Sequence, residues 1–221
     1  GAGAGAGADA DSASASGHTT LATTFFTDLR YIGQLDRTYL LCEAHNELVL
    51  IDQHAAHERV AFQRIRQSYR KRNVSVQRLL FPRPLDVTAA QVAAARECAE
   101  ELAALGFELS FSGDDDVTIN AVPASLKQQS AQNDPAKVLA AILDELVDHG
   151  ASRALEDRLD LMFATMACHS VVRAGDALSG REAEALLAAL DGVDYRAHCP
   201  HGRPVLLRIS VAEIARRFGR T

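Results

Sequence analysis

The stretch Ile51-Asp52-Gln53-His54-Ala55-Ala56-His57-Glu58 places an aspartate, a histidine and a glutamate where an apolar, strand-like run gives way to a helix-like pattern. At a spacing of four on a helix, His54 and Glu58 share a face. With Asp52 they form the mix of nitrogen and oxygen donors that binds Zn or Mn. The same residues also suit a solvated helix start, with Asp52 as the N-cap and Glu58 paired to an arginine. A second set is Cys199-Pro200-His201-Gly202-Arg203-Pro204. In an extended segment Cys199 and His201 point the same way, and the flanking prolines and glycine stiffen the backbone. Thiolate and imidazole together are a zinc-type pair. A third is Ala167-Cys168-His169-Ser170, where Cys168 is either a ligand or a packed thiol.

The elements that must position these residues can be read from the pattern. Residues 1–18 are a Gly/Ala/Ser/Asp tract without apolar periodicity, so residues 1–22 read as a flexible linker, which implies a domain before it. From Tyr31 to Asp52, β-favouring segments alternate with turns at Asp36 and at His45-Asn46, predicting antiparallel strands. A helix follows from His54 to the basic tail Arg70, Lys71, Arg72. Thr88 and Gln91 make a capping box for a helix that runs to Leu105 and stops at Gly106. FELSF and VTINAV then predict a hairpin, followed by a helix from Pro135 to His149 and a long helix from about Glu156 to Ala174. Capping boxes at Ser179/Glu182 and Ser210/Glu213 open two more helices around the extended CPHGRPVLLRI segment. The expected architecture is α+β: a sheet lobe built from both ends of the chain (residues 23–83 and 154–221) with an αββα lobe (84–153) inserted between.

Composition narrows the function. A chain of 221 residues, 48% hydrophobic, can bury a sizeable core. Its apolar runs are too short to span a membrane and no signal peptide is evident, so a soluble cytoplasmic protein is expected. The four widely spaced cysteines (Cys42, Cys98, Cys168, Cys199) suit thiols or metal ligands better than a disulfide framework. A net charge of -6 weighs against strong DNA binding by the chain alone.

The three chemical motifs, in this order, resemble the C-terminal domain of the latent endonucleases in the MutL family of DNA mismatch-repair proteins. The family's first motif reads DQHA, two residues, E, four residues, E. Asp52-Gln53-His54-Ala55 and Glu58 fit it, followed by ACHSVVRAG from Ala167, CPHGRP from Cys199, and F-x-R at Phe218-Gly219-Arg220. The resemblance implies metal-dependent nicking of DNA supported by Zn2+ and/or Mn2+. Its site would comprise Asp52, His54, Glu58, Cys168, Cys199 and His201, with Glu58 bridging two ions. One departure stands out: the motif's final glutamate falls on Gln63.

Gln77-Arg78-Leu79-Leu80-Phe81-Pro82 resembles the family's docking motif for the replication sliding clamp, with Gln77, Leu80, Phe81 and Pro82 as the binding residues. The alternative is a strand or loop that packs those apolar side chains into its own core. Arg64, Arg66, Arg70, Lys71 and Arg72, with Arg203, Arg216, Arg217 and Arg220, could steer double-stranded DNA. The resemblance further implies a homodimer formed through the sheet lobe, an N-terminal ATPase domain, the mismatch-sensing MutS protein as a partner, and work at the bacterial nucleoid. Two rival readings are a dimerisation module without catalysis and a closed structural zinc site of Cys168, Cys199, His201 and His54.

Overall fold

The computed structural model describes residues 24–113, 116–126, 134–149, 154–170, 177–193 and 204–220. Within them the β-favouring runs near the start form an antiparallel meander of β1 (Arg30–Leu35), β2 (Tyr39–Ala44) and β3 (Glu47–Asp52). Asp36, Arg37 and Asn46 take positive φ in the two tight turns, a conformation that aspartate and asparagine tolerate better than most residues. β7 (Leu206–Ser210) pairs antiparallel with β3, so the sheet runs β1-β2-β3-β7 and draws on both ends of the chain as expected.

One face of this sheet is dry. Leu40, Cys42, Val49 and Ile51 are fully buried. They pack with Phe26, Ala55, Ala56, Leu187 and Leu190 from the segment before β1, from α1 (Gln53–Arg70) and from α6 (Gly180–Asp191). The capping box of Ser179 and Glu182 opens α6. At its far end the Asp191 carboxylate accepts the Phe26 and Thr27 N–H groups, both at 2.8 Å, pinning the entering chain over the core.

A second sheet, ordered β4-β6-β5, consists of β4 (Val76–Leu85), β5 (Glu108–Ser112) and β6 (Asp116–Pro123). Helices α2 (Ala89–Glu97), α3 (Ala99–Ala104), α4 (Pro135–His149) and α5 (Leu155–Ser170) cover it. Its core holds Leu102, Phe107, Ile119, Leu139, Ile142, Leu143 and Met162. β4 therefore extends the hairpin by one strand upstream of residue 84. The single helix expected from Thr88 to Leu105 is bent into α2 and α3 at Cys98, whose backbone leaves helical geometry while its thiol stays buried. The bend keeps Val92 and Ala95 before it, and Leu102 and Leu105 after it, within the same interior. Residues 171–174 of the long helix expected to end at Ala174 lie outside the described residues.

α1 and α5 pack against each other. Arg66 pairs with Asp160 at 3.6 Å, while Phe62, one turn earlier, meets Phe163 edge-on with ring centroids 6.1 Å apart. α7 (Val211–Arg217) follows β7 directly, its first turn capped by the Ser210 hydroxyl accepting from the Glu213 N–H. Among the described residues no helix is long and apolar enough to cross a membrane.

Candidate metal centre and docking segment

β3 ends at Asp52, and the chain turns there into α1. The Asp52 N–H donates to the Val205 carbonyl at 2.9 Å, and its carboxylate accepts the Ala55 N–H at 3.0 Å. Asp52 is thus the N-cap of α1, which fixes where the helix starts and how it is rotated. The buried Gln53 side chain accepts from the Gln34 amide of β1, tying the first helical residue to the sheet.

This start brings His54 and Glu58 together. His54 Nε2 lies 3.0 Å from Glu58 Oε1, with the glutamate side chain mostly buried. When Nε2 carries the proton donated to Glu58, Nδ1 holds the ring's lone pair. Nδ1 is buried and has no hydrogen-bond partner among the described residues. A neutral imidazole oriented by a carboxylate, with its second nitrogen unsatisfied, has the chemistry of a metal ligand awaiting its ion. The pair offers an imidazole nitrogen and a carboxylate, donor types that Zn and Mn accept. Glu58 makes no other polar contact among the described residues, and in this arrangement it orients the His54 ring from the side opposite Nδ1.

His57, one position before Glu58, accompanies the pair. Its Nδ1 lies 2.8 Å from the Gln53 carbonyl. Burial, aided by the charges of His54 and Arg64, pushes its pKa below the ordinary value against the upward pull of that hydrogen bond. His57 was not among the candidates read from the sequence, where its only signal was its place inside the motif.

Cys168 is half-buried near the end of α5. No three His, Cys, Asp or Glu side chains converge tightly enough to hold an ion among the described residues. Cys199 and His201 lie outside the described residues. What the structure brings together is His54 with Glu58, held in place by Asp52.

Residues 79–82 leave the second sheet rather than continue it. β4 pairs with β6 through Arg78↔Ala121 and resumes at Arg83↔Ile119, so Leu79 to Pro82 oppose a single residue and bulge from the sheet. Leu79 packs against the second core, whereas Leu80 and Phe81 are 87% and 79% exposed. Packing of the whole motif into its own core is thereby ruled out. Beyond the bulge, Arg83 grips Asp134 with two hydrogen bonds of 2.6 and 2.8 Å, and Asp134 also accepts the Ala136 N–H at the start of α4.

Residues 32–178 match the MutL C terminal dimerisation domain family. This chain belongs to that family. It is 44% identical over 196 residues to the DNA mismatch repair protein MutL of Geotalea daltonii, covering 89% of this chain and 32% of the relative. The MutL proteins of Pelobacter propionicus and Anaeromyxobacter dehalogenans are each 42% identical over 197 residues, with the same coverage. The chain thus spans about a third of the length of the curated MutL relatives it matches.

Membership draws attention to the sheet face that α1 and α6 leave uncovered. Leu41, Leu50 and Leu207 stand in one row across β2, β3 and β7, and Leu48 and Ile209 in the next. Leu207 is 58% exposed, and Ile32, beside the irregularity in β1, 51%. The sequence signal for this face was the absence of alternation in TYLLC and ELVLI, which marks strands covered on both sides.

Proposed function

We propose that this chain is the metal-dependent nicking endonuclease and homodimerisation domain of a MutL protein, acting in DNA mismatch repair downstream of mismatch recognition. The observation that carries this reading is the His54–Glu58 pair at the capped start of α1, with the buried Nδ1 of His54 left unsatisfied. His54 would hold Zn2+ and/or Mn2+, with Glu58, Cys168, Cys199 and His201 as further ligands by motif position. The ion would supply charge stabilisation to the reacting phosphodiester and lower the pKa of a nearby water. The chain's own contribution is orientation: Asp52 sets the rotation of α1, Glu58 holds the imidazole plane, and the buried surroundings keep both side chains from rearranging.

The extruded Leu80 and Phe81, with Gln77 and Pro82, are the residues proposed to dock on the replication sliding clamp. The clamp would hold the domain on double-stranded DNA that its acidic total charge would otherwise repel. The apolar row Leu41–Leu50–Leu207 is proposed to bury itself against the same row of a second copy. MutS and an N-terminal ATPase domain complete the proposed partners, at the bacterial nucleoid.

Incubating the chain with supercoiled plasmid, Mn and the clamp, and following open circles on a gel, tests the proposal. Nicking is expected, reduced by about two orders of magnitude in Glu58→Lys. The double variant Leu80→Ala/Phe81→Ala should lose the clamp's stimulation while keeping its melting temperature, because neither side chain is buried. Gln63 favours a second reading, a dimerisation module with only a structural zinc. A folded, dimeric, clamp-bound wild type that retains zinc but makes no nick would support it and reject the endonuclease.

A further inference from the structure

The side of α1 that carries His54 runs on through the half-buried His57, Ala61 and Ser68 and the exposed Arg64, a spacing of three and four that keeps them on one stripe. The stripe leads into a depression lined by Arg64, Ser68, Asn73, Ser75 and Ser125 together with the apolar Leu105 and Met166. A second depression, sharing Val74 with the first, is lined by Tyr69, Arg70 and Arg72. Neither lining contains a carboxylate. Among the described residues Arg30, Arg66, Arg78, Arg83, Arg158, Arg208 and Arg217 form ion pairs. Arg64, Arg70, Lys71 and Arg72 form none among the described residues. A chain of net charge -6 thus gathers four unpaired cations at one helix end, beside hydroxyl and amide groups.

We propose that these adjoining depressions are a phosphate track that seats the backbone of double-stranded DNA along α1. Guanidinium, serine hydroxyl and asparagine amide groups are what hold phosphodiester oxygens without reading sequence. Arg64 lies ten residues beyond His54, about 15 Å along the helix axis. That equals about four base steps along a duplex axis at ~3.4 Å each, so the depression lies within the footprint of a duplex engaged at His54 and Glu58. The sequence pointed to the whole basic run, and the structure divides it: Arg66 is turned to Asp160, while Arg64, Arg70 and Arg72 face the depressions. The track deepens the reading of DNA as substrate and rests on it.

The test is fluorescence anisotropy of a labelled duplex of about 30 base pairs, at 50 to 200 mM salt in metal-free buffer so that no cleavage intervenes. The variant combines Arg64→Gln, Arg70→Gln and Arg72→Asn, the last because position 72 has a φ of 49° that asparagine accepts readily. Losing three phosphate contacts should flatten the log-affinity against log-salt slope by about 0.9 per contact. Over this salt range the wild type should therefore lose about 40-fold more affinity than the variant. Arg96→Gln/Lys137→Gln on the inserted lobe should keep the wild-type slope. An unchanged slope in the triple variant, or no duplex binding by the wild type at the lowest salt, overturns the track. A wild type with the steep slope that makes no nick in the plasmid assay removes the endonuclease reading and leaves the track standing.

Discussion

Gln63 is where this chain departs from its family's first motif, and its position shows what the change can affect. It lies half-buried on α1, five residues past Glu58 and hence about 140° round the helix axis from it. A side chain there is turned away from the His54–Glu58 pair and acts on it only through its charge or through neighbours. Restoring the acid with Gln63→Glu is expected to raise the nicking rate on the order of tenfold, the usual size of an outer-sphere effect, with clamp affinity unchanged. An unaltered rate would mean that the motif's last position is dispensable in this chain. At this scale the sequence was informative for His54 and Glu58, because a spacing of four needs only a helix to become a contact. It left two roles open for Asp52, ligand or cap, and the Ala55 hydrogen bond identifies the cap. His57 could not be singled out, since its distinguishing feature is burial.

Among the elements, β4 was the least legible. Pro82 and Pro84 interrupt any alternation, and a run that bulges from its sheet cannot show a period of two. Capped helices were easier, because Thr88/Gln91 and Ser179/Glu182 carry their start signal locally. The fork between Arg83 and Asp134 is what anchors the bulge, binding β4 to the first turn of α4. Burial, the largest single influence on Asp134, pushes its pKa up. The hydrogen bonds from Arg83 and the Ala136 N–H, with the charges of Arg83 and Lys137, outweigh it and hold the carboxyl below its ordinary 3.8. A carboxylate depressed in the folded state contributes stability above its unfolded pKa and loses it as pH falls through the folded one. Urea midpoints should therefore drop as pH is lowered below about 4, with a shallower drop in Asp134→Asn. Parallel acid profiles in the two proteins would show that the ion pair contributes nothing to stability.

At the scale of the whole molecule, the α+β class and a sheet drawing on both chain ends were legible from the order of patterns alone. The lack of alternation marked strands apolar on both faces but not what covers the second one, because an apolar residue facing a second copy looks the same in sequence as one facing its own helix. Leu207→Glu places a charge in the middle of the Leu41–Leu50–Leu207 row at a position 58% exposed in the single chain. It should convert the dimer to monomer in sedimentation, with the stability of the monomer within about 0.5 kcal/mol of wild type. A dimer that survives this substitution would place the interface elsewhere.

The pairing of β3 with β7 also governs how the molecule comes to exist. The strands meet at Leu48↔Ile209 and Leu50↔Leu207, so the partner of β3 is made only after the entire inserted lobe has emerged. During synthesis the β1-β2-β3 meander waits with one hydrogen-bonding edge vacant and both faces rich in leucine, a state prone to pairing with the wrong chain. Contacts this remote in sequence slow folding, because the loop must close before they reward it. The inserted lobe shortens the wait: once its own core has formed, its ends are fixed on α1 and α5, and the search left to β7 is reduced to the last stretch of chain. In a dimer the same vacancy is an opening for the neighbour's β7, so exchange of the final strand and helix between copies is the misassembly to which this topology is most exposed.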